Sequence, residues 1–260
     1  MKTLTSRLAL TAILALSSIA VAQNPLAGNW KFNPEKSKIT GDTMHFAPES
    51  GGGVKFTAGG RSYTFKLDGS DATTSMGNVA NWTKVDDSTW QAVIKKGTTT
   101  LQTDTFKLSE DGKSFELTTA GTKPNGDSFH DTTTYTRIAG TKGFYGGWRS
   151  TKTSVSSPTG YEIKDNGDGT LTWTLPDMKA TVTLKTDGTE ATASGPTVPE
   201  DLTLSLTKSG QRSFTLVEKI KGKPVFKGTE TVSEDGKTLT ETGSAVGVNE
   251  PTTAVYDKAS

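Results

Sequence analysis

The hexapeptide SEDGKS, residues 109–114, recurs as SEDGKT at residues 233–238. Each copy lies between two runs in which apolar and polar residues alternate: TDTFKL and SFELTT flank the first copy, and GTETV and TLTETG flank the second. Asp-Gly between alternating runs is a strong signal for a β-hairpin, because glycine readily takes the positive φ that a tight turn requires. We therefore predict a hairpin at both positions.

Three further landmarks recur in the same order, which identifies the chain as a tandem duplication. They are FKLDGSDATTS at 65–75 with LKTDGTEATAS at 184–194, GNW at 28–30 with GGW at 146–148, and YTR at 135–137 with YDK at 256–258. A repeat of about 118 residues has the size of an independent domain. The sequence predicts one domain over residues 23–139 and a second over 144–260, joined by a short glycine-bearing linker at 139–143.

Short alternating runs separated by glycine turns are typical of an all-β chain. We count eight or nine strands in each half, and an antiparallel sheet of that size tends to close or fold on itself, which removes its exposed edges. Apolar side chains share one face of each strand, while Thr, Ser, Lys and Glu occupy the other. This predicts barrels with an apolar interior rather than transmembrane barrels, with a flattened sandwich as the alternative.

The first 22 residues have the pattern of a secretory signal peptide. Lys2 and Arg7 precede an apolar run, and small residues favour cleavage after Ala22. The run is too short for a membrane anchor, and no cysteine follows it that could carry a lipid. A cysteine-free chain must rest on an apolar core, which fits the bacterial periplasm better than a disulfide scaffold. We predict a periplasmic or secreted protein.

The charge balance argues against polyanionic partners. The chain has 29 Lys and Arg against 28 Asp and Glu, and loss of Lys2 and Arg7 would leave a net charge of −1. Nucleic acids and anionic membrane surfaces favour a clear basic excess. We predict neither a nucleic-acid partner nor a transmembrane span.

Gly-x-Trp on the first strand and a basic residue on the last strand resemble the calycin superfamily of lipocalins, fatty-acid-binding proteins and avidins. In those barrels the tryptophan plugs one end and the basic side chain packs across it. The resemblance implies two lipocalin-like barrels, with Trp30 paired to Arg137 and Trp148 paired to Lys258. The opening GNWKFNPEKSK, residues 28–38, is also similar to secreted bacterial proteins that begin GxWKxNxxKSK.

Two features depart from the fatty-acid-binding proteins. Residues 34–40 leave room for only a turn or so where those proteins place a helical lid. The last strand of the first half reads Tyr-x-Arg, whereas their carboxylate-binding motif is Arg-x-Tyr. The resemblance therefore supports a barrel more strongly than it supports a lipid ligand.

Residues capable of catalysis or metal binding are scarce in the sequence. The chain has no cysteine and two histidines, His45 and His130, which alternate away from the apolar faces. The stretch Asp165–Gly169 has the wrong spacing for a calcium loop, because Pro176 stands where the loop needs a glutamate. We predict no catalytic residue, no metal and no cofactor.

The aromatic residues on the inward faces permit two interpretations. They can line a ligand cavity, or they can fill the interior of a narrow barrel completely. As candidates for ligand contact we take five inward-facing aromatic residues, with Trp82 and Trp90 foremost if either lies at a barrel mouth. The five are Tyr63, Phe65, Trp82, Trp90 and Trp173.

Three functions remain open at this point. The first is an exported, non-enzymatic protein that binds a small apolar molecule in one or both barrels. The second is a structural or protein-interaction module of the cell envelope with filled barrels, acting through loops such as 196–200 or 221–224. The third, an enzyme, would need a buried polar cluster, which the sequence pattern does not indicate.

Overall fold

The computed structural model describes residues 23–59, 61–248 and 250–259. The predicted signal peptide, residues 1–22, lies outside the described residues. Within them the chain forms twenty β-strands and two short 3₁₀ turns, Ser50–Gly52 and Pro176–Met178. The predicted all-β class is therefore confirmed. Across the same residues, no helix has the length and apolar character needed to traverse a bilayer.

Each half of the chain contributes ten strands. Those of the first half are β1 (Gly28–Phe32), β2 (Thr43–Pro48), β3 (Val54–Ala58), β4 (Arg61–Phe65), β5 (Asp68–Thr73), β6 (Val79–Lys84), β7 (Thr89–Lys96), β8 (Thr99–Leu108), β9 (Ser114–Thr122) and β10 (Ser128–Ala139). Those of the second half are β11 (Gly146–Ser154), β12 (Gly160–Asp165), β13 (Thr170–Leu175), β14 (Ala180–Lys185), β15 (Asp187–Thr192), β16 (Leu202–Lys208), β17 (Ser213–Ile220), β18 (Lys223–Val232), β19 (Thr238–Ala245) and β20 (Thr252–Lys258).

The repeated hexapeptide forms the same turn twice. The Gly112 N–H donates to the Ser109 carbonyl at 2.9 Å, and the Gly236 N–H donates to the Ser233 carbonyl at 3.0 Å. Both glycines have positive φ, 65° and 68°. The aspartate that precedes each glycine accepts from the serine hydroxyl and from the following lysine N–H. Every polar residue of the hexapeptide turn except the glutamate thus has a role in the hairpin.

The strands form two antiparallel, nearly closed barrels of ten strands each, in the orders β14-β13-β12-β1-β20-β19-β18-β17-β16-β15 and β4-β3-β2-β11-β10-β9-β8-β7-β6-β5. We call the first the C-terminal barrel and the second the N-terminal barrel. In the C-terminal barrel, reciprocal backbone hydrogen bonds of 2.9 Å between Thr181 and Ser194 draw the two edges together. Two tandem barrels are as predicted.

The predicted count of eight to nine strands was too low. The run FKLDGSDATTS contains a corner, because β4 ends at Phe65 and β5 begins at Asp68 on the opposite edge of the sheet. The matching run of the second half is divided in the same way, between Lys185 and Asp187. A tight corner preserves the alternation of apolar and polar residues, so the pattern alone reads as one strand.

The two barrels exchange their first strands. Strand β1 lies between β12 and β20 of the C-terminal barrel, and β11 lies between β10 and β2 of the N-terminal barrel. Each barrel therefore consists of nine strands from one sequence repeat and one from the other. The repeat boundaries predicted at 139 and 144 do not coincide with a boundary between sheets.

Local pairing explains the exchange. Residues 140–145 join β10 to β11 as a hairpin, and consecutive strands usually pair with each other. The predicted linker at 139–143 is thus wrong as a connection between domains, because it lies within the N-terminal barrel. Strand β1 then pairs with β20, the other terminal strand.

Two crossing segments, residues 33–42 and 155–159, carry the chain between the barrels. In the first, Ser37 Oγ accepts from the Val255 N–H at 2.9 Å, and Lys38 bridges to Thr253. In the second, Ser156 Oγ accepts from the His130 N–H at 2.7 Å. The Lys-Ser-Lys motif at 36–38 therefore serves to fasten a crossing segment to the last strand of the opposite repeat.

Candidate functional site

The tryptophan and basic residues predicted to cap the barrels do form pairs, but across the repeats. The Arg137 guanidinium lies 4.0 Å from the ring centroid of Trp148, and Lys258 Nζ lies 5.1 Å from that of Trp30. The predicted pairs, Trp30 with Arg137 and Trp148 with Lys258, are wrong because β1 and β11 are exchanged. Each basic residue stands directly opposite the tryptophan of the other repeat.

Both barrel ends share one hydrogen-bond plan. The indole N–H groups of Trp30 and Trp148 donate at 2.8 Å to the carbonyls of Leu26 and Phe144, each four residues earlier. Arg137 donates from Nε to the Gly112 carbonyl of the SEDGKS turn at 2.7 Å. These ends are packed and hydrogen-bonded, so they close the barrels rather than bind a ligand.

The N-terminal barrel is filled by its own rings. Phe65 stacks on Trp82 with centroids 4.1 Å apart, and Trp90 packs on Phe144 at 4.5 Å. The Trp82 indole N–H donates to the Tyr63 hydroxyl at 3.1 Å. Trp82 and Trp90 are buried, at 2% and 4% exposure, rather than placed at a barrel mouth. Four of the five predicted ligand contacts are thus in contact with one another in this core.

The C-terminal barrel has smaller side chains at matching positions. By strand register, Val182 occupies the place of Tyr63, Leu184 that of Phe65, and Leu206 that of Trp82. Val182 also lines a cavity of about 210 Å³, here called the inner cavity. Its wall is mainly apolar and includes Trp173, Val182, Ala193, Leu202, Leu204 and Leu216. Trp173, the fifth predicted contact, lines this cavity.

Three glutamates point into the C-terminal barrel. We call Glu218, Glu230 and Glu241 the glutamate cluster. Glu230 and Glu241 stand opposite each other on β18 and β19, and Glu230 is completely buried. Glu218 lines the inner cavity from β17. In the N-terminal barrel the matching residues are Ile94, Phe106 and Leu117, so the same frame folds with apolar side chains at all three places.

The cluster strongly perturbs its own titration. Burial, then repulsion from the Glu241 carboxylate and a hydrogen bond to it, and last repulsion from Glu218, raise the pKa of Glu230 well above its usual range. Burial also raises the pKa values of Glu218 and Glu241. Arg61 of the N-terminal barrel opposes the shift at Glu218 as a smaller effect. The cluster therefore binds protons readily and favours the approach of positive charge.

Aromatic residues surround the cluster. The Tyr161 and Tyr256 hydroxyls lie 3.4 Å apart, and the Tyr161 ring lies 5.7 Å from Trp173 and 4.9 Å from Tyr256. Phe32, at the end of the exchanged strand β1, packs edge-on against Tyr256 at 5.5 Å. Burial raises the pKa of both tyrosines, so their hydroxyls remain protonated and able to donate hydrogen bonds.

One buried polar group in this barrel lacks a partner, and a second is paired only with another carboxyl. The Trp173 Nε1 forms no hydrogen bond within the described part of the chain. The Glu230 oxygens accept from no donor group there, but a protonated Glu230 shares a hydrogen bond with the Glu241 carboxylate. Buried polar groups are nearly always satisfied in folded proteins, so the unsatisfied Trp173 donor, which is 3% exposed, marks a place for another molecule, water or ligand.

A second cavity, of about 560 Å³, lies between the barrels at the crossing segments. We call it the junction cavity. Glu241, Tyr256 and Phe32 line it from the C-terminal barrel, and Gln102 and Phe129 line it from the N-terminal barrel. It shares Met178 and Thr197 with the inner cavity, so the two cavities adjoin. The junction cavity thus gives the glutamate cluster a route to the exterior.

The loops around these cavities are tied to the N-terminal barrel. Lys123 is 7% exposed, and its Nζ donates to the Asp177 carboxylate at 3.0 Å and to the Ser157 carbonyl at 2.6 Å. Lys96 Nζ donates to the Val198 carbonyl at 2.7 Å. The 196–200 loop, considered above as a protein-binding surface, instead lines both cavities through Thr197.

The remaining polar candidates line neither the inner cavity nor the junction cavity. His45 and His130 are exposed. Asp165 and Asp168 accept backbone N–H bonds within their own turn, from Gly167 and Thr170. Over residues 23–59, 61–248 and 250–259, no group of three His, Cys, Asp or Glu side chains is arranged to hold a metal ion.

The sequence analysis did not predict the glutamate cluster, although the alternation of residues on β18 indicates it. The inward face of β18 reads Phe226, Gly228, Glu230, Val232, so simple alternation already places a glutamate in the core. Aligning the two SEDGK turns matches this glutamate to Phe106 in the first repeat.

Comparisons with protein-family models, curated proteins and solved structures find no match for this chain.

Proposed function

We propose that this protein binds a small ligand inside its C-terminal barrel. The observation that carries the proposal is a mainly apolar cavity of 210 Å³ lined by the buried Trp173, whose indole N–H has no acceptor among the described residues. An unsatisfied buried donor costs about 1–3 kcal/mol, and a ligand oxygen or nitrogen would recover this. Mainly apolar walls with a few polar groups are typical of small-molecule sites.

The N-terminal barrel acts as a scaffold in this proposal. Its ring-filled core favours the interpretation in which aromatic residues fill a barrel completely. The inner cavity favours a ligand site in the C-terminal barrel. Lys96 and Lys123 hold the loops that border the cavities. We propose a ligand carrier, exported as residues 1–22 predict; the glutamate cluster also supplies the buried polar groups that the third hypothesis, an enzyme, requires.

Binding can be tested with the neutral fluorescent probe N-phenyl-1-naphthylamine and the full mature chain. Ala193 lines the inner cavity, and Ala193→Phe fills part of it. We expect at least a tenfold loss of probe affinity in this variant. The matched control is Thr192→Phe, at the exposed residue just before Ala193 in the chain, which should change affinity less than twofold.

Circular dichroism establishes that each variant is folded, and Leu204→Phe, which fills the same cavity, replaces Ala193→Phe if that variant is not. Absence of probe binding to the unmodified protein would contradict the proposal. Equal binding to both phenylalanine variants would place the probe elsewhere and contradict it as well. Native mass spectrometry of protein purified from its own host's envelope fraction would then give the mass of the natural ligand.

A further inference from the structure

We infer that the ligand of the C-terminal barrel is an organic cation, an ammonium group on a compact apolar body, received by the glutamate cluster and the rings around it. The inference rests on the proposed function and specifies its ligand class. The glutamate cluster has no ion-pair partner among the described residues. None of the six ion pairs formed by the described residues involves Glu218, Glu230 or Glu241.

Folding alone does not account for these carboxyls. Burying carboxyls without a cationic partner is costly, because they must either stay protonated or repel one another as they ionise. The N-terminal barrel closes with Ile94, Phe106 and Leu117 at the matching positions, so the frame has no geometric need for acidic side chains there. A bound positive charge would supply the ion-pair partner that Glu230 and Glu241 do not have among the described residues.

The surrounding rings suit a cation as well. Phe32, Tyr161, Trp173 and Tyr256 form an aromatic wall in which neighbouring centroids lie 4.9–5.7 Å apart. A cation over such rings gains roughly 0.5–2 kcal/mol, more when it is desolvated. Carboxylates combined with aromatic faces bind ammonium groups, whereas either feature alone is also compatible with neutral ligands.

An organic cation fits better than a metal ion. The cluster does not form a metal-binding arrangement, since no group of three potential ligands is placed for one in the part of the chain that the structure describes. The inner cavity adds about 210 Å³ of mainly apolar space beside Glu218. The Trp173 N–H in its wall calls for an acceptor on the ligand body. The expected ligand thus has an ammonium at one end and a hydrogen-bond acceptor at the other.

Binding of a cation should release protons. In the free protein, Glu230 faces Glu241 on β19, Glu218 on β17, and Tyr161 and Tyr256 on β12 and β20, with Arg61 acting on Glu218 from the other barrel. The raised pKa of Glu230 extends its protonated form to higher pH than that of an exposed glutamate. An ammonium favours the carboxylate, so the proton leaves as the ligand enters, and affinity rises with pH.

The test uses three probes that share a hydroxyphenyl body and differ in charge: tyramine, tyrosol and 3-(4-hydroxyphenyl)propionate. We expect isothermal titration at pH 7.5 to give tyramine at least tenfold tighter binding than tyrosol, and no detectable binding of the propionate. Tyramine affinity should fall at least threefold at pH 6, where its own amine is still protonated. Titration in buffers of different ionisation enthalpy should show proton release.

Glu230→Gln should lower the affinity for tyramine at least tenfold and change the affinity for tyrosol less than twofold. Glu241→Gln provides a second variant if the first does not fold. The matched control is Glu162→Gln, an exposed glutamate next to Tyr161 on β12, which should leave both affinities unchanged. Equal affinity for tyramine and tyrosol, or preference for the propionate, would overturn the inference and leave the proposed function intact. Failure of all three probes while the naphthylamine still binds would also overturn it, and failure of the naphthylamine itself would overturn the proposed function.

Discussion

At the scale of single residues, a few side-chain differences separate two barrels built on one plan. Glu230 and Glu241 stand where the N-terminal barrel has Phe106 and Leu117, and they make the core of the C-terminal barrel more acidic. Val182 stands where the N-terminal barrel has Tyr63, and this smaller residue lines the inner cavity. Because the backbone frame is shared, each barrel serves as an internal reference for what the fold itself requires.

The glutamate cluster should make the unliganded protein less stable at alkaline pH. The folded-state pKa of Glu230 lies well above its unfolded value near 4.5, so folding takes up a proton between those two values. Stability from this group is complete below pH 4.5 and declines as pH rises toward the folded pKa. Each pH unit in that window costs about 1.4 kcal/mol.

Glu230→Gln removes this dependence. We expect the free energy of unfolding of the variant, relative to the unmodified protein, to rise by more than about 1 kcal/mol between pH 5 and pH 8. Urea unfolding at several pH values measures it, with Glu162→Gln as the control that should show no such trend. The surface aspartates with lowered pKa values, such as Asp111, affect stability at more acidic pH. A constant difference across pH 5–8 would contradict the assignment.

At the scale of elements, the strands and hairpins could be predicted mainly from local sequence patterns. Alternation and Asp-Gly turns identified the hairpins at Ser109 and Ser233, because those signals depend on neighbouring residues. The corner between Phe65 and Asp68 was missed because it preserves alternation. The sequence pattern also did not predict which strand pairs with β1, because Gly-x-Trp fits equally well beside the last strand of either repeat. The short 140–145 connection, which pairs β10 with β11, determines the choice.

The loops of the candidate site depend on one buried lysine. Lys123 fastens both the 3₁₀ turn at Pro176–Met178 and the second crossing segment. Lys123→Met should lower the free energy of unfolding by roughly 1–3 kcal/mol, because Asp177 and the Ser157 carbonyl lose their donor. It should also weaken naphthylamine binding several-fold, since Met178 borders both cavities.

Urea unfolding and hydrogen exchange at residues 176–179 measure these effects. The matched control is Lys107→Met on β8 of the same barrel, where the lysine is exposed. Unchanged exchange rates at 176–179 in Lys123→Met would show that the turn is held by other contacts.

At the scale of the whole molecule, the exchange of β1 and β11 links the two barrels through their own strands. Neither sequence repeat contains all ten strands of a barrel, and each supplies the strand that carries the end-closing tryptophan of the other. The ligand site is itself shared, because Phe32 reaches it from the first repeat and Lys123 supports its border. Duplication with strand exchange thus places a site at the junction of the copies.

The exchange can be tested by cutting the chain between Thr141 and Lys142, which are exposed in the loop between β10 and β11. A recognition sequence for a specific protease inserted there allows cleavage after folding. We expect the two fragments to remain associated in size-exclusion chromatography without denaturant, because β1 and β11 are each held by two neighbouring strands of the opposite fragment. They should separate only in denaturant.

The same insertion at the exposed residues 166–169, in a turn within one barrel, serves as the control for damage by the insertion. Separation of intact, folded fragments in native buffer would mean that each repeat keeps its own first strand, and the arrangement of the ligand site would have to be redrawn.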